Sequence, residues 1–368
     1  MPMMSHPKYH FLDRFFPTPK FLALPAVGLA ISDSAISALE LVKGSSGYTL
    51  GRFGRRMLPM GSVTGGYVNN RDVVVEELRK LKVALHLDFV NASLPEEKAY
   101  LFKTQIPHVA EREIRGALEF KIEENVPLPA GEAIFDYVVI TETGHETNNH
   151  LDVGMTVLPK KVVETYAELL SLADIVPLSF ELEAQAIARA LVPLGDSDTY
   201  LVVNLGEQKT GLFIVSEEVV RFTSTVAVGG AHITEAIAKH LSLSAEEAEK
   251  VKSEHTAFKH KKHEELFLSL INALSALKDE IVQLSVYWST HKEQGETAPR
   301  KISKILLCGR DAGLTGLSEY FSTVLQGKVE VGNVWQNVFS LHDYVPSITL
   351  DESLDYATAV GLALSRGR

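Results

Sequence analysis

A chain of 368 residues has room for two domains of ordinary size or one duplicated fold, and 45% hydrophobic with 23% charged residues is a globular composition. With 36 Lys and Arg against 47 Asp and Glu the net charge is -11, which excludes gripping nucleic acid or anionic lipid through a global positive field. A single cysteine, Cys308, excludes an internal disulfide and a Cys/His zinc framework, so a reducing, cytoplasmic setting is the default.

Residues 1–25 mix Phe11, Leu12, Phe15, Phe16, Phe21 and Leu22 with Asp13, Arg14, Lys20 and the prolines Pro17, Pro19 and Pro25. No apolar run there approaches the roughly 20 residues of a membrane-spanning helix, and the prolines interrupt any signal-peptide core. The segment reads as an arm packed against the first domain, with contact to a membrane-associated partner as the alternative.

Residues 26–41 read as strand, tight polar turn, strand, the layout of a phosphate-gripping hairpin, and Gly44 to Gly47 supplies a further turn within 26–57. Val74, Val75, Leu78, Leu81 and Leu85 recur at helical spacing after the start signal Asn69-Asn70-Arg71-Asp72, predicting a helix over 71–85. A small α+β insertion is expected over 88–158. It holds strands through 94 and at 100–106, a helix at 110–124 closed by Val126-Pro-Leu-Pro129, and strands at 134–140 and 151–158. Between the last two strands lies a polar loop tip, 142–149.

A helix at 160–172, a strand at 175–180 and a helix at 181–191 ending at Pro193-Leu-Gly195 return the chain to its opening layout. Residues 200–215 are again strand, polar turn, strand, and 219–226 form a third strand. This echo argues for a duplicated fold with a cleft between the halves. Helices follow at 229–240 and 244–252, the second opened by the capping box Ser244-Ala-Glu-Glu247. A long helix at 263–291 carries Leu266, Leu270, Leu274, Leu277, Ile281, Leu284 and Trp288 as a stripe, which is assigned to its own domain's core rather than to a coiled-coil partner. A strand at 302–308 runs into Gly309-Arg310-Asp311-Ala312-Gly313 and a helix, and 356–364 is a closing helix.

Three motif classes of common enzymes, GxxxxGK[ST], HExxH and GxSxG, do not occur. His255, His260 and His263 have spacing for a shared metal, but interleaved Lys259, Lys261 and Lys262 repel a cation. The run is assigned to a solvated basic patch suited to an acidic partner surface. Cys308 precedes Gly309 at a strand end with no activating motif beside it, so a buried structural thiol is expected.

The order of these segments resembles the PilM family of type IV pilus assembly proteins, within the actin-like ATPase superfamily and related to FtsA. Val27 to Leu41 matches, in frame, the family opening V-G-I-D-I-G-S-S-S-I-K-x-x-E-L, and residues 110–129 resemble a segment of the family's inserted subdomain. Val226 to Ala238 resembles I-P-I-G-G-x-x-L-T-E-A-I-A, Ala248 to Lys252 resembles A-E-x-L-K, and Ala357 to Leu364 resembles a terminal A-x-A-x-G-L-A-L. The resemblance runs from about residue 20 to the end.

The resemblance implies an actin-like, ribonuclease H-like duplicated α/β fold with a small inserted subdomain of the SHS2 type. An arm would occupy 1–25, a first domain 26–87 with 159–198, the insertion 88–158, and a second domain 199–368. It also implies ATP and Mg²⁺ in the cleft. The first hairpin would offer Ser32, Asp33 and Ser34, and the second Gly206, Gln208, Lys209 and Thr210. Gly229, Gly230, Glu249 and Lys252 would follow, with Gly309, Arg310 and Gly313 at an adenosine loop.

This chain departs from the family there. The acid and glycine of the first hairpin are Ala30 and Ser32, and the second hairpin, Asn204-Leu-Gly-Glu-Gln-Lys-Thr-Gly211, keeps Gly206 and Thr210 but neither acid. A glycine triplet becomes Gly309-Arg310-Asp311, while Asp33 stands close enough in the turn to substitute for Ala30. Arg310 either pairs with a nucleotide or fills the space of an adenine, and Lys209 either points at phosphate or is an exposed turn lysine. Ala30 and Asn204 cannot replace carboxylates that organise Mg²⁺, so hydrolysis is not expected, no catalytic or metal residue is assigned, and nucleotide binding stays open.

By resemblance the chain is then a cytoplasmic scaffold, peripheral to the inner membrane, among pilus inner-membrane and motor components. It would hold the N-terminal tail of a PilN-type membrane partner in a groove between the first domain and the 88–158 unit. Two readings compete. An active actin-like ATPase or sugar kinase would keep acids at 30 and 204, and an FtsA-like filament protein of cell division would want a terminal amphipathic helix where this sequence reads Leu364-Ser-Arg-Gly-Arg368.

Overall fold

Strand β1 (Ala26–Ile31) is buried on both faces, and its two faces differ in size. Val27, Leu29 and Ile31 enter one core, whereas Ala26, Gly28 and Ala30 leave room for a helix on the other. The computed structural model describes residues 26–44, 47–140, 150–253, 264–291 and 300–365. The arm 1–25, the loop tip 142–149 and the run His255, His260, His263 lie outside the described residues.

β1 pairs antiparallel with β2 (Ala35–Gly44), which pairs antiparallel with β3 (Gly47–Met57). A two-stranded ribbon, β4 (Val63–Thr64) and β5 (Tyr67–Val68), leads to helix α1 (Arg71–Leu85). The Asn70 side chain accepts the Val73 N–H and so caps the helix, and Val74, Val75, Leu78 and Leu81 are its buried face. β6 (Phe89–Leu94) then lies parallel to β1. The expectation that this strand opens the inserted unit is corrected: β6 lies inside the first sheet, between β10 and β1, and its apolar-polar alternation in sequence could not reveal which sheet it joins.

After a 3₁₀ turn at Glu96–Lys98 come β7 (Tyr100–Pro107), helix α2 (Glu111–Asn125), β8 (Ala133–Ile140) and β9 (His150–Pro159). They form a three-stranded antiparallel sheet in the order β7-β9-β8, and Ile114, Leu118 and Ile122 of α2 cover one face against Phe135, Val153 and Met155. Helix α3 (Lys160–Leu172) and strand β10 (Val176–Leu182) complete the first sheet, ordered β10-β6-β1-β2-β3. Helix α4 (Glu183–Leu191) follows.

The second sheet repeats this plan. β11 (Thr199–Leu205), β12 (Thr210–Ser216) and β13 (Val219–Val226) are an antiparallel meander. Helices α5 (Gly230–Leu241), α6 (Ala245–Ser253) and α7 (Glu264–Thr290) precede β14 (Lys304–Cys308), which is parallel to β11. Helix α8 (Leu317–Leu325), β15 (Val329–Val331), the short α9 (Leu350–Ser353) and α10 (Ala357–Ala363) close the chain. The order β13-β12-β11-β14-β15 matches that of the first sheet strand for strand. Ser244 and Glu247 form the expected reciprocal cap of α6, and Leu270, Leu274, Leu277, Ile281, Leu284 and Trp288 of α7 sit in the second core. Among the described residues no helix is long and apolar enough to cross a membrane.

Helices α4 and α10 join the halves. Their core includes Leu39 and Leu41 of β2 as well as Leu201 and Val203 of β11. α10 reaches this position only because two glycines yield: a Cβ on Gly28 would lie 1.9 Å from the Ala359 carbonyl oxygen, and one on Gly361 would lie 1.7 Å from that of Ala186.

Candidate functional site

In open sheets with parallel strands, side chains beyond the carboxyl ends of those strands converge on a crevice. Here β1, β6 and β10 of one sheet and β11 and β14 of the other end at the same cleft, lined by Ser32, Asp33, Ser34, Glu96, Glu183, Asn204, Gly206, Glu207, Gln208, Lys209, Gly211 and Thr225. The cavity is about 50 Å³.

The first turn is tied to itself. The Ser32 N–H and Oγ both donate to the Ala35 carbonyl, at 2.9 and 3.0 Å, and Ala35 N–H returns a bond to Ser32 Oγ. Asp33 accepts the Gly65 N–H at 3.2 Å and pairs with Lys209 Nζ at 3.1 Å. The second turn is closed by Gly206 N–H donating to the Lys209 carbonyl at 3.0 Å. Helix α5 rests on that turn, since Gly230 N–H donates to the Gly206 carbonyl at 2.9 Å and Ala231 N–H to the Glu207 carbonyl at 2.8 Å. Donors at a helix N-terminus are the usual cradle for an anion; here they are spent on the protein's own backbone.

Several predicted site residues therefore stand differently from expectation. Lys209 neither points at an open phosphate position nor lies exposed, because it is ion-paired with Asp33 and with Glu97 of the 3₁₀ turn. Thr210 is fully buried, its hydroxyl donating to the Val228 carbonyl at 2.6 Å. Gly229 is pressed onto the second turn, where a Cβ would fall 2.6 Å from the Gly206 and Glu207 carbonyl oxygens. Gly309 has φ +86° and packs on the Leu205 carbonyl, while Gly313 faces Asp351. Ser34 and Gln208 line the cleft.

Glu249, Lys252 and Arg310 belong to one network. Lys252 is 1% exposed and pairs with Glu249 at 2.9 Å and Asp311 at 3.2 Å, while donating to the Gly230 carbonyl at 3.2 Å. Arg310 bridges Glu207 and Glu249, at 3.4 Å each. Burial works against the Glu249 charge, but hydrogen bonds from Thr234 and Lys252 outweigh it and hold this carboxyl below its usual range. Burial raises Asp311, and Lys252 opposes the shift. Cys308 is buried with Sγ 3.7 Å from Asn204 Oδ1, and burial pushes its thiol well up, as befits a structural cysteine.

Sequence reasoning missed four carboxylates: Glu96, Glu97, Glu183 and Glu207. Glu96 and Glu183 follow the ends of β6 and β10, so the crevice rule would have found both had β6 been placed in the first sheet. Glu183 accepts from Asn204 Nδ2 at 3.3 Å and from Thr358 Oγ1 at 3.0 Å. Burial raises its carboxyl, and it raises Glu96 well above the ordinary value, with the Glu183 charge adding to the effect on Glu96. Glu96 Oε2 has no hydrogen-bond partner among the described residues.

A nucleotide pocket needs roughly 300 Å³ or more, so the cleft as folded does not fit a magnesium nucleoside triphosphate. The Gly206, Gly230 and Ala231 N–H groups are engaged, and Lys209 is already paired with Asp33 and Glu97. Among the described residues no group of three or more His, Cys, Asp or Glu is arranged to hold a metal ion.

Comparison with known proteins adds identity to this geometry. Residues 28–367 match the family described as Type IV pilus assembly protein PilM. The fold is similar to that of a PilM-PilN type IV pilus biogenesis complex, at 22% identity over 93% of this chain and 98% of that one, with a TM-score of 0.73. It is also similar to the ethanolamine utilization protein EutJ from Carboxydothermus hydrogenoformans, at 17% identity over 95% and 91% of the two chains and a TM-score of 0.54. MreB 5 of Spiroplasma citri bound to AMPPNP aligns at 14% identity over 92% and 94%, with a TM-score of 0.51. The fold is thus actin-like, and with its match spanning nearly the whole sequence the chain belongs to the PilM family of type IV pilus assembly proteins.

Proposed function

We propose that this chain is a scaffold of the type IV pilus inner-membrane assembly complex, cytoplasmic and peripheral to the membrane, that holds the N-terminal tail of a PilN-type partner and does not turn over ATP. The observation that carries the reading is the family match over residues 28–367, supported by the likeness to a structure described as a PilM-PilN type IV pilus biogenesis complex. The occupied cleft argues against turnover, since neither Ala30 nor Asn204 supplies a carboxylate and Lys209 spans the space between the two turns.

The three-stranded unit is the place to seek the peptide. Its strand β7 lies against β13 of the second sheet, whereas β8 is the other edge of the sheet and has α3 beside it. An extended peptide can add to such an edge by backbone pairing, with apolar side chains such as the half-exposed Ile134 giving selectivity. Fluorescence polarisation with the labelled cytoplasmic tail of a PilN-type protein from the same genome tests this. Saturable binding that Ile134→Asp weakens is expected. No binding at high peptide concentration, or steady Mg²⁺-dependent phosphate release from ATP, contradicts the reading.

A further inference from the structure

We propose that Lys209 is a tethered cation that latches the cleft shut, joining the two halves of the molecule through Asp33 and Glu97. The inference rests on the cleft geometry and is independent of the partner reading.

Lys209 stands on the turn between β11 and β12, in the second half. Its ammonium reaches Asp33, on the β1–β2 turn, at 3.1 Å, and Glu97, on the 3₁₀ turn after β6. The three side chains are only 23%, 10% and 13% exposed, so these contacts lie well inside the screening layer of water. Beside them, a Cβ on Gly211 of the second half would meet Glu96 Oε1 at 2.6 Å, and Glu183 completes the acidic wall. One ammonium therefore pairs with Asp33 and Glu97 and lies near Glu96. With its charge removed, the second-half turn loses its attraction to the first-half acids, and Asp33 and Glu97 are left uncompensated in a poorly hydrated gap, which favours separation of the turns.

The latch has a mechanical reach beyond the cleft. Glu96 and Glu97 sit on the connection by which the chain leaves the first sheet for the three-stranded unit, and β7 of that unit lies against β13. Opening the Lys209 contacts would release both the unit's root and its flank from the second half. Any ligand entering between the turns would first have to displace Lys209 from its two carboxylates.

Native-state hydrogen exchange on the full chain tests the latch, comparing wild type with Lys209→Ala, Lys209→Glu and the charge-swapped pair Lys209→Glu with Glu97→Lys. Single substitutions should speed exchange about tenfold or more in peptides covering 30–35, 95–99 and 206–211, leaving α7 unchanged, and the swapped pair should recover protection. Unchanged exchange at those turns in a folded Lys209→Glu protein, or no recovery in the pair, overturns the proposal. If the glutamate variant does not fold, the neutral variant Lys209→Met decides: exchange at the three turns should again speed about tenfold, and exchange as slow as in wild type refutes the latch.

Discussion

Lys252 shows how much a single buried charge can carry. It is nearly inaccessible and pairs at 3.2 Å with Asp311, itself only 4% exposed, so each buried charge depends on the other. Lys252→Met should cost about 3–5 kcal/mol by urea denaturation, because Asp311 is left uncompensated, while adding Asp311→Asn should recover part of the loss. Glu96 poses the opposite case. Its folded carboxyl lies well above the ordinary value of 4.5, so the folded state binds the proton more tightly than the unfolded chain. Its contribution is most favourable below that ordinary value and is lost as pH rises through the elevated folded value. Glu96→Gln should therefore stabilise the protein by about 1–3 kcal/mol near pH 8 and by less near pH 5. Melting curves at the two pH values check this, and a pH-independent difference would contradict it.

Among elements, α10 depends on residues that look unremarkable in sequence. Gly361 lets it cross α4 at backbone contact distance, so Gly361→Ala places a methyl against the Ala186 carbonyl oxygen, which no side-chain rotation relieves. A loss of about 3 kcal/mol or more in denaturation is expected, against much less for Gly131→Ala, whose Cβ would meet open space. Helix α1 was legible because its periodicity and start signal are written within the segment, as Asn70 before Val74, Val75 and Leu78 shows. β6 was legible as a strand and not as a member of the first sheet, since alternation of residues names a face but not a neighbour. The same limit hid the cleft acids. The hairpin residues Ser32 to Ser34 and Gly206 to Lys209 could be named from the turn pattern, but the pairing of Lys209 with Asp33 and Glu97 joins positions far apart in sequence.

At the scale of the whole molecule, the repeat of strand, turn, strand at 26–41 and 200–215 foretold the duplicated sheets, yet not how firmly they are joined. Two halves linked only by a hinge should melt separately. Here α4 and α10 lie in one apolar cluster with residues of β2 and of β11, so exposing either sheet also exposes helices on which the other depends. The core under α2 is a separate cluster, built from Ile106, Ile114, Leu118, Ile122 and neighbours on β8 and β9. Calorimetry should accordingly show one dominant transition for both large sheets, with calorimetric and van't Hoff enthalpies in near agreement. Amides of β7, β8 and β9 should exchange through a smaller opening at lower free energy. Two well-separated transitions, one releasing the amides of β1 to β3 and the other those of β11 to β13, would mean that the shared helices do not couple the halves.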